Sequence, residues 1–255
     1  TLNVDPLPIV LIETDYILCV DTNGTEVLAP LEIETDLSSD DYTFIWSDAT
    51  GAVVGTGSSY APSQGGTYSL EVFDATLQTQ CAAPVEVFSV IESAPPILTA
   101  QVTTAAFAST HVIEALATGQ GIYEYSLDQG PWGDSGVFVD VTPGEHVVTA
   151  RDLNGCGVTQ VVVYVIDYPK FFTPNGDGYN DTWNIVGVAN QNNAKILIFD
   201  RFGKLLKQIS PSGEGWDGTF NGAQLPSSDY WFTLDYTDPT TGNPQVLRAH
   251  FSLKR

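Results

Sequence analysis

The residues best suited to chemistry lie between 175 and 181. In Asn175-Gly176-Asp177-Gly178-Tyr179-Asn180-Asp181, oxygen donors recur at alternate positions: the side chains of Asn175, Asp177 and Asp181 and the carbonyl of Tyr179. Calcium takes about six to eight oxygens, and alternate donors supply several of them. These four are candidate calcium ligands, and Ca2+ is the one candidate cofactor. The loop is shorter than an EF-hand and lacks its closing Glu. A stack of Asx turns in a Gly-rich loop accounts for the same residues and is the favoured reading. The three histidines, His111, His146 and His250, lack metal-ligand spacing. No Gly-x-Ser-x-Gly elbow, phosphate loop or Cys/His pair is present. Carboxylates are so plentiful that no single pair is informative, and the expectation is a non-enzyme.

Charge separates the chain into parts. It carries 31 acidic residues against 9 Lys plus Arg. Residues 1–91 hold 14 acids and no base, residues 92–167 hold 9 acids and Arg151, and residues 168–255 hold 8 of each. Such a field repels nucleic acid and anionic lipid and suits a soluble extracellular protein. Apolar residues make up 43% of the sequence, enough for packed cores despite the charge. No apolar run reaches the roughly 18 residues of a spanning helix. The sequence contains no Met and begins Thr1-Leu2-Asn3, so a processed or partial chain is expected.

The elements that position these residues read as strands. Short runs of Val, Ile, Thr, Tyr and Phe alternate with Gly, Pro, Asn, Asp and Ser clusters, which is the pattern of β-sandwiches. Thr103 to Thr118 is Ala-rich but broken by Thr, Val and Ile, and it too reads as strand. In residues 1–91 the order Cys19, Trp46, Tyr68, Cys81 suggests an immunoglobulin-like sandwich with a disulfide near a buried Trp. Cys19–Cys81 is the expected bridge, worth about 4 kcal/mol on a chain-entropy model; two buried free thiols are the alternative. Ser93-Ala94-Pro95-Pro96 reads as an extended linker. Residues 92–167 read as a second module, in which Cys156 has no partner. Trp132 is the best candidate for a sugar contact, although a buried Trp is the commoner case.

The last part is the most distinctive. It opens with Phe171-Phe172-Thr173-Pro174-Asn175-Gly176-Asp177-Gly178 and continues with Ile198-Phe199-Asp200-Arg201-Phe202-Gly203-Lys204. Trp216-Asp217-Gly218, Leu225-Pro226, Tyr230-Trp231-Phe232 and a terminal Phe251-Ser252-Leu253-Lys254-Arg255 follow. This ordered set resembles the gliding motility-associated C-terminal domain, the type B sorting domain of the type IX secretion system. Ser227-Ser228-Asp229 departs from the Gly-containing turn usual before the aromatic strand. The second module is similar, more loosely, to the SprB-type repeats of large gliding adhesins, through Tyr123, Tyr125, Ser126, Leu127, Asp128 and Asn154-Gly155-Cys156.

The resemblance implies an all-β chain of tandem Ig-like antiparallel β-sandwich modules ending in a β-sandwich sorting domain at 168–255. It implies a secreted cell-surface adhesin, exported through the type IX translocon with a shuttle protein. A PorP/SprF-like outer-membrane protein would retain it, and the chain itself would not span the membrane. Candidate partner-binding residues are Arg201, Phe202, Gly203, Lys204, Trp216, Asp217, Lys254 and Arg255. The alternative is a set of calcium- or carbohydrate-binding modules of a secreted polysaccharide-degrading enzyme.

Overall fold

The computed structural model describes residues 8–75, 82–239 and 241–255. Their regular structure is strand throughout, and the all-β expectation holds. The chain divides into two compact units. One takes in the residues up to Ile97 with Ala117–Glu124 and Ala150–Thr159; the other takes in Leu98–Leu116, Tyr125–Thr149 and Gln160–Arg255.

The first unit contains β1 (Asp15–Cys19), β2 (Ile33–Glu34), β3 (Tyr42–Asp48), β4 (Val53–Gly55), β5 (Ser59–Tyr60), β6 (Gly66–Asp74) and β7 (Glu86–Ser93). A sheet of order β1-β7-β6-β3-β4 packs against the pair β2-β5. Strict alternation explains the core. Phe44 and Trp46 of β3, Tyr68, Leu70 and Val72 of β6, and Phe88 and Val90 of β7 all point inward and are buried. The buried Trp46 indole would be costly without a partner. Its Nε1–H donates to the Gly57 carbonyl at 2.9 Å, and its ring stacks on Tyr60. Pairing is antiparallel except that the edge strand β1 runs parallel to β7.

Six strands follow: β8 (Ile97–Val102), β9 (Ile113–Thr118), β10 (Tyr123–Leu127), β11 (Val137–Phe138), β12 (Gly144–Asp152) and β13 (Val158–Val165). They form sheets of order β10-β12-β13 and β11-β9-β8. Of the Ala-rich stretch only Ile113–Thr118 is strand. Residues 103–112 form a loop closed by a hydrogen bond from the Thr103 N–H to the Val112 carbonyl at 3.0 Å.

The C-terminal strands are β14 (Phe171–Phe172), β15 (Lys195–Phe199), β16 (Leu205–Ile209), β17 (Thr219–Phe220), β18 (Ala223–Gln224), β19 (Ser228–Thr237) and β20 (Pro244–Leu253). The main sheet has order β14-β20-β19-β15-β16, with β17-β18 as a separate hairpin. The edge strand β14 is parallel to β20, the second departure from the antiparallel expectation. Tyr230, Phe232 and Leu234 pair across the ladder with Phe251, Ala249 and Leu247 on one face. Phe172, Trp183 and Trp216 complete an aromatic core on that face, with Trp183 stacked on Phe251 at 3.8 Å between ring centroids.

The disulfide differs from expectation. Cys19 is bonded to Cys156, across 137 residues, so it is not available to Cys81, which lies outside the described residues. The cause is local. Asp152, buried at the end of β12, accepts hydrogen bonds from the Cys156 N–H (3.1 Å), the Ser93 hydroxyl (2.9 Å) and the Ile122 N–H (3.3 Å). This fixes the turn through Asn154 and Gly155 and presents Cys156 to Cys19, which is opposite Ser93 in the β1–β7 register. On the chain-entropy model a loop of this length stabilises by about 5 kcal/mol. The same region corrects the linker. Ser93 and Ala94 are fully buried, and the Ala94 N–H donates to the Gln120 carbonyl at 2.6 Å. This stretch is therefore packed in the first unit and does not act as an exposed joint.

Candidate interaction site

The β15–β16 hairpin presents the candidate residues that are free of core duties. Its turn is built by Asp200, whose Oδ1 accepts the N–H groups of Phe202 and Lys204, both at 2.9 Å. The Asp200 N–H donates to the Lys204 carbonyl and the Gly203 N–H to the Asp200 carbonyl, each at 3.0 Å. Gly203 has φ +81°, a region where a Cβ is strained. This braced turn holds Phe202 out into solvent, 81% exposed. The Arg201 guanidinium sits 4.8 Å from the Phe202 ring centroid, and the Lys204 ammonium sits 4.5 Å from that of Phe220. An exposed aromatic flanked by two cations on a rigid turn suits an anchor in a protein interface.

The other candidates are tied into the fold. Trp216 is buried in the core, donates from Nε1 to the Thr219 carbonyl at 2.9 Å, and exchanges backbone hydrogen bonds with Trp183. Asp217 accepts from the Thr219 hydroxyl (2.8 Å) and N–H (3.0 Å). Burial raises its carboxyl pKa, but these bonds and the charge of Lys207 outweigh that and leave it below the usual range. Lys254 lies 4.2 Å over the Phe171 ring. Arg255 closes the domain: its N–H donates to Ser227 Oγ at 2.9 Å, and its guanidinium donates to the carbonyls of Leu225 (3.0 Å) and Gly218 (3.2 Å).

In the Asn175–Asp181 loop the candidate ligands form an Asx stack. Asp181 accepts three main-chain N–H groups, from Asn175 (3.0 Å), Gly176 (2.6 Å) and Gly178 (2.8 Å). Asn175 Oδ1 accepts the Asp177 N–H, and Asp177 Oδ1 accepts the Tyr179 N–H. The hydrogen bonds from Gly176 and then Gly178 hold the Asp181 carboxyl below the usual range. A cation would have to compete with these N–H groups for the same oxygens. Among the described residues, no three His, Cys, Asp or Glu side chains are grouped to share a metal ion. His146 lies between Asp128 (2.6 Å) and the Thr142 carbonyl (2.6 Å), and His111 lies 3.6 Å from Asp167.

Three residues that sequence reading passed over prove important. Trp183, at the centre of the aromatic core, donates from Nε1 to the Pro169 carbonyl at 2.8 Å. Asn184 Nδ2 lies 3.2, 3.2 and 3.0 Å from the carbonyls of Ser210, Pro211 and Gly213. Phe107, with φ +67°, donates its N–H to the Ile166 carbonyl and packs on Tyr168 and Tyr236. Trp183 closes the motif that opens the C-terminal domain; nothing local signalled Asn184 or Phe107.

Residues 166–247 match the family model described as the CHU_C type IX secretion signal domain. No curated protein matches the sequence. Similar solved structures include an amphioxus IgVJ-C2 molecule, 14% identical, covering 59% of this chain and 98% of that one at a TM-score of 0.33. Another is the four N-terminal Ig domains of Dscam1 isoform 6.44, 8% identical, covering 95% and 76% at 0.35. A third is chicken VE-cadherin EC1-2, 13% identical, covering 62% and 100% at 0.24. At such scores these likenesses carry no argument.

Proposed function

We propose that this chain, marked for export by the type IX secretion signal domain at residues 166–247, is the C-terminal region of a cell-surface adhesin. Its Arg201–Lys204 hairpin would meet a retaining outer-membrane partner. Residues 1–91 and 92–167 act as acidic stalk modules, and residues 168–255 carry the address. The observation behind the docking role is Phe202, exposed between two cations on a turn braced by Asp200. Trp216, Asp217 and Arg255 serve the address indirectly, by holding the sheet and its termini in shape. A PorP/SprF-like protein with an acidic, apolar-lined recess would fit the hairpin tip, and the translocon and shuttle protein act before it. The Asn175–Asp181 loop serves as a structural turn and not as a calcium site, since Asp181 is already engaged by three N–H groups, and no residue is given a catalytic role.

The test separates folding from docking. The combined change Arg201→Glu, Phe202→Ser, Lys204→Glu touches no buried side chain and should leave the melting temperature within about 2 °C, as expected of surface substitutions. In a bacterium with type IX secretion, the altered protein should leave the cell but be shed into the medium. Retention on the cell surface at wild-type level would rule out this hairpin as the docking element.

A further inference from the structure

Cys19 and Cys156 enclose most of the first two sequence modules in one covalent loop. Both ends of the bridge are held firmly. Cys19 ends β1, which pairs with β7 from Asp15 to Cys19, and the next N–H, of Val20, donates to the Ser93 carbonyl at 2.8 Å. Cys156 is held through Asp152, which also takes the Ser93 hydroxyl, and the Asn154 amide reaches the same hydroxyl at 3.2 Å. The bridge and its hydrogen-bonded surround therefore converge on Ser93, and all of these groups lie in one compact unit.

We propose that this disulfide is a mechanical shunt. Tension applied between the ends of the chain passes from Cys19 to Cys156 through the S–S bond, and the strands β2 to β12 between them are spared extension. The expected Cys19–Cys81 bridge would have spared only part of the first module. The observed pairing shields every strand of the first module except β1 and most strands of the second, while the secretion signal domain stays in the path of the load. The surface-display reading enters only as the source of the tension; the covalent path is a property of the chain.

The experiment is a single-molecule stretch of the intact, oxidised full chain held by handles at its two termini, repeated with a phosphine reductant and with a variant carrying both Cys19→Ser and Cys156→Ser, which leaves a single thiol. A fully extended chain gains about 3.4 Å per residue, so the oxidised wild type should stop about 470 Å short of both the reduced protein and the variant. A shortfall near 210 Å would instead mark a Cys19–Cys81 bridge and overturn the proposal, as would no shortfall at all. The extended length does not depend on the fold, so a Cys19→Ser, Cys156→Ser chain that misfolds still gives a valid reading. Since no secretion step is involved, failure here is distinguishable from failure of the export reading.

Discussion

At the scale of single residues, the C-terminal domain separates side chains that shape it from those that face outward. Trp216 belongs to the first group. Trp216→Ala removes a fully buried indole and its hydrogen bond, and should cost about 3–5 kcal/mol in chemical denaturation of the full chain. Asp181 gives a pH prediction. Its folded pKa is depressed, so its stabilising effect is present above the unfolded carboxylate pKa, about 3.9. That effect is lost as pH falls through the lower folded value. In an NMR titration the Gly176 and Gly178 amides should shift with a midpoint below the ordinary carboxylate value of about 3.9; a midpoint at or above it would show that the carboxylate is not held as described. Much of this was legible in the sequence. Asn, Asp and Gly at alternating positions announce Asx turns, and the aromatic run Tyr230-Trp231-Phe232 announces a strand. Other roles were not legible. The grip of Arg255 on the carbonyls of Pro174, Gly218 and Leu225 and the partner of Cys156 depend on chain segments that sequence spacing cannot bring together.

At the scale of elements, turns and edges decide what the strands can do. Gly203 and Gly187 share a φ of +81° but differ in their surroundings. A Cβ on Gly203 meets nothing within 4 Å, whereas one on Gly187 would lie 2.3 Å from the Val165 carbonyl oxygen. Gly203→Ala should therefore cost only the conformational term, about 1–2 kcal/mol. Gly187→Ala adds a backbone collision and should cost more than about 3 kcal/mol. Equal losses in thermal melts would remove the steric argument. The two sheets also repeat a device. Tyr68 and Tyr230, each third in its strand, donate their hydroxyls to the carbonyl four residues back, Gln64 and Pro226, both at 2.9 Å. Such corners pin a strand entry. The alternating pattern located the strands but not these corners, nor the parallel edges β1 and β14, because strand direction at an edge is set by the path of the preceding loop.

At the scale of the molecule, charge and export dominate. Residues 1–167 carry 23 acids and a single base, so the folded chain stores self-repulsion that salt relieves. Raising sodium chloride from about 0.01 to 0.15 M shortens the Debye length from roughly 30 to 8 Å and should raise the melting temperature. A fall would mean that attractive pairs outweigh the repulsion. The charge asymmetry was plain from the sequence, as was the address at the C-terminus. The Cys19–Cys156 closure was not, because it joins residues 137 apart in sequence. The central claim concerns the address. Its most direct test fuses a neutral reporter ahead of the full chain and ahead of a chain ending before Asp167, and follows both in cells with an active type IX system. The reporter should reach the cell exterior only with the full chain; equal export of the shortened fusion would contradict the account.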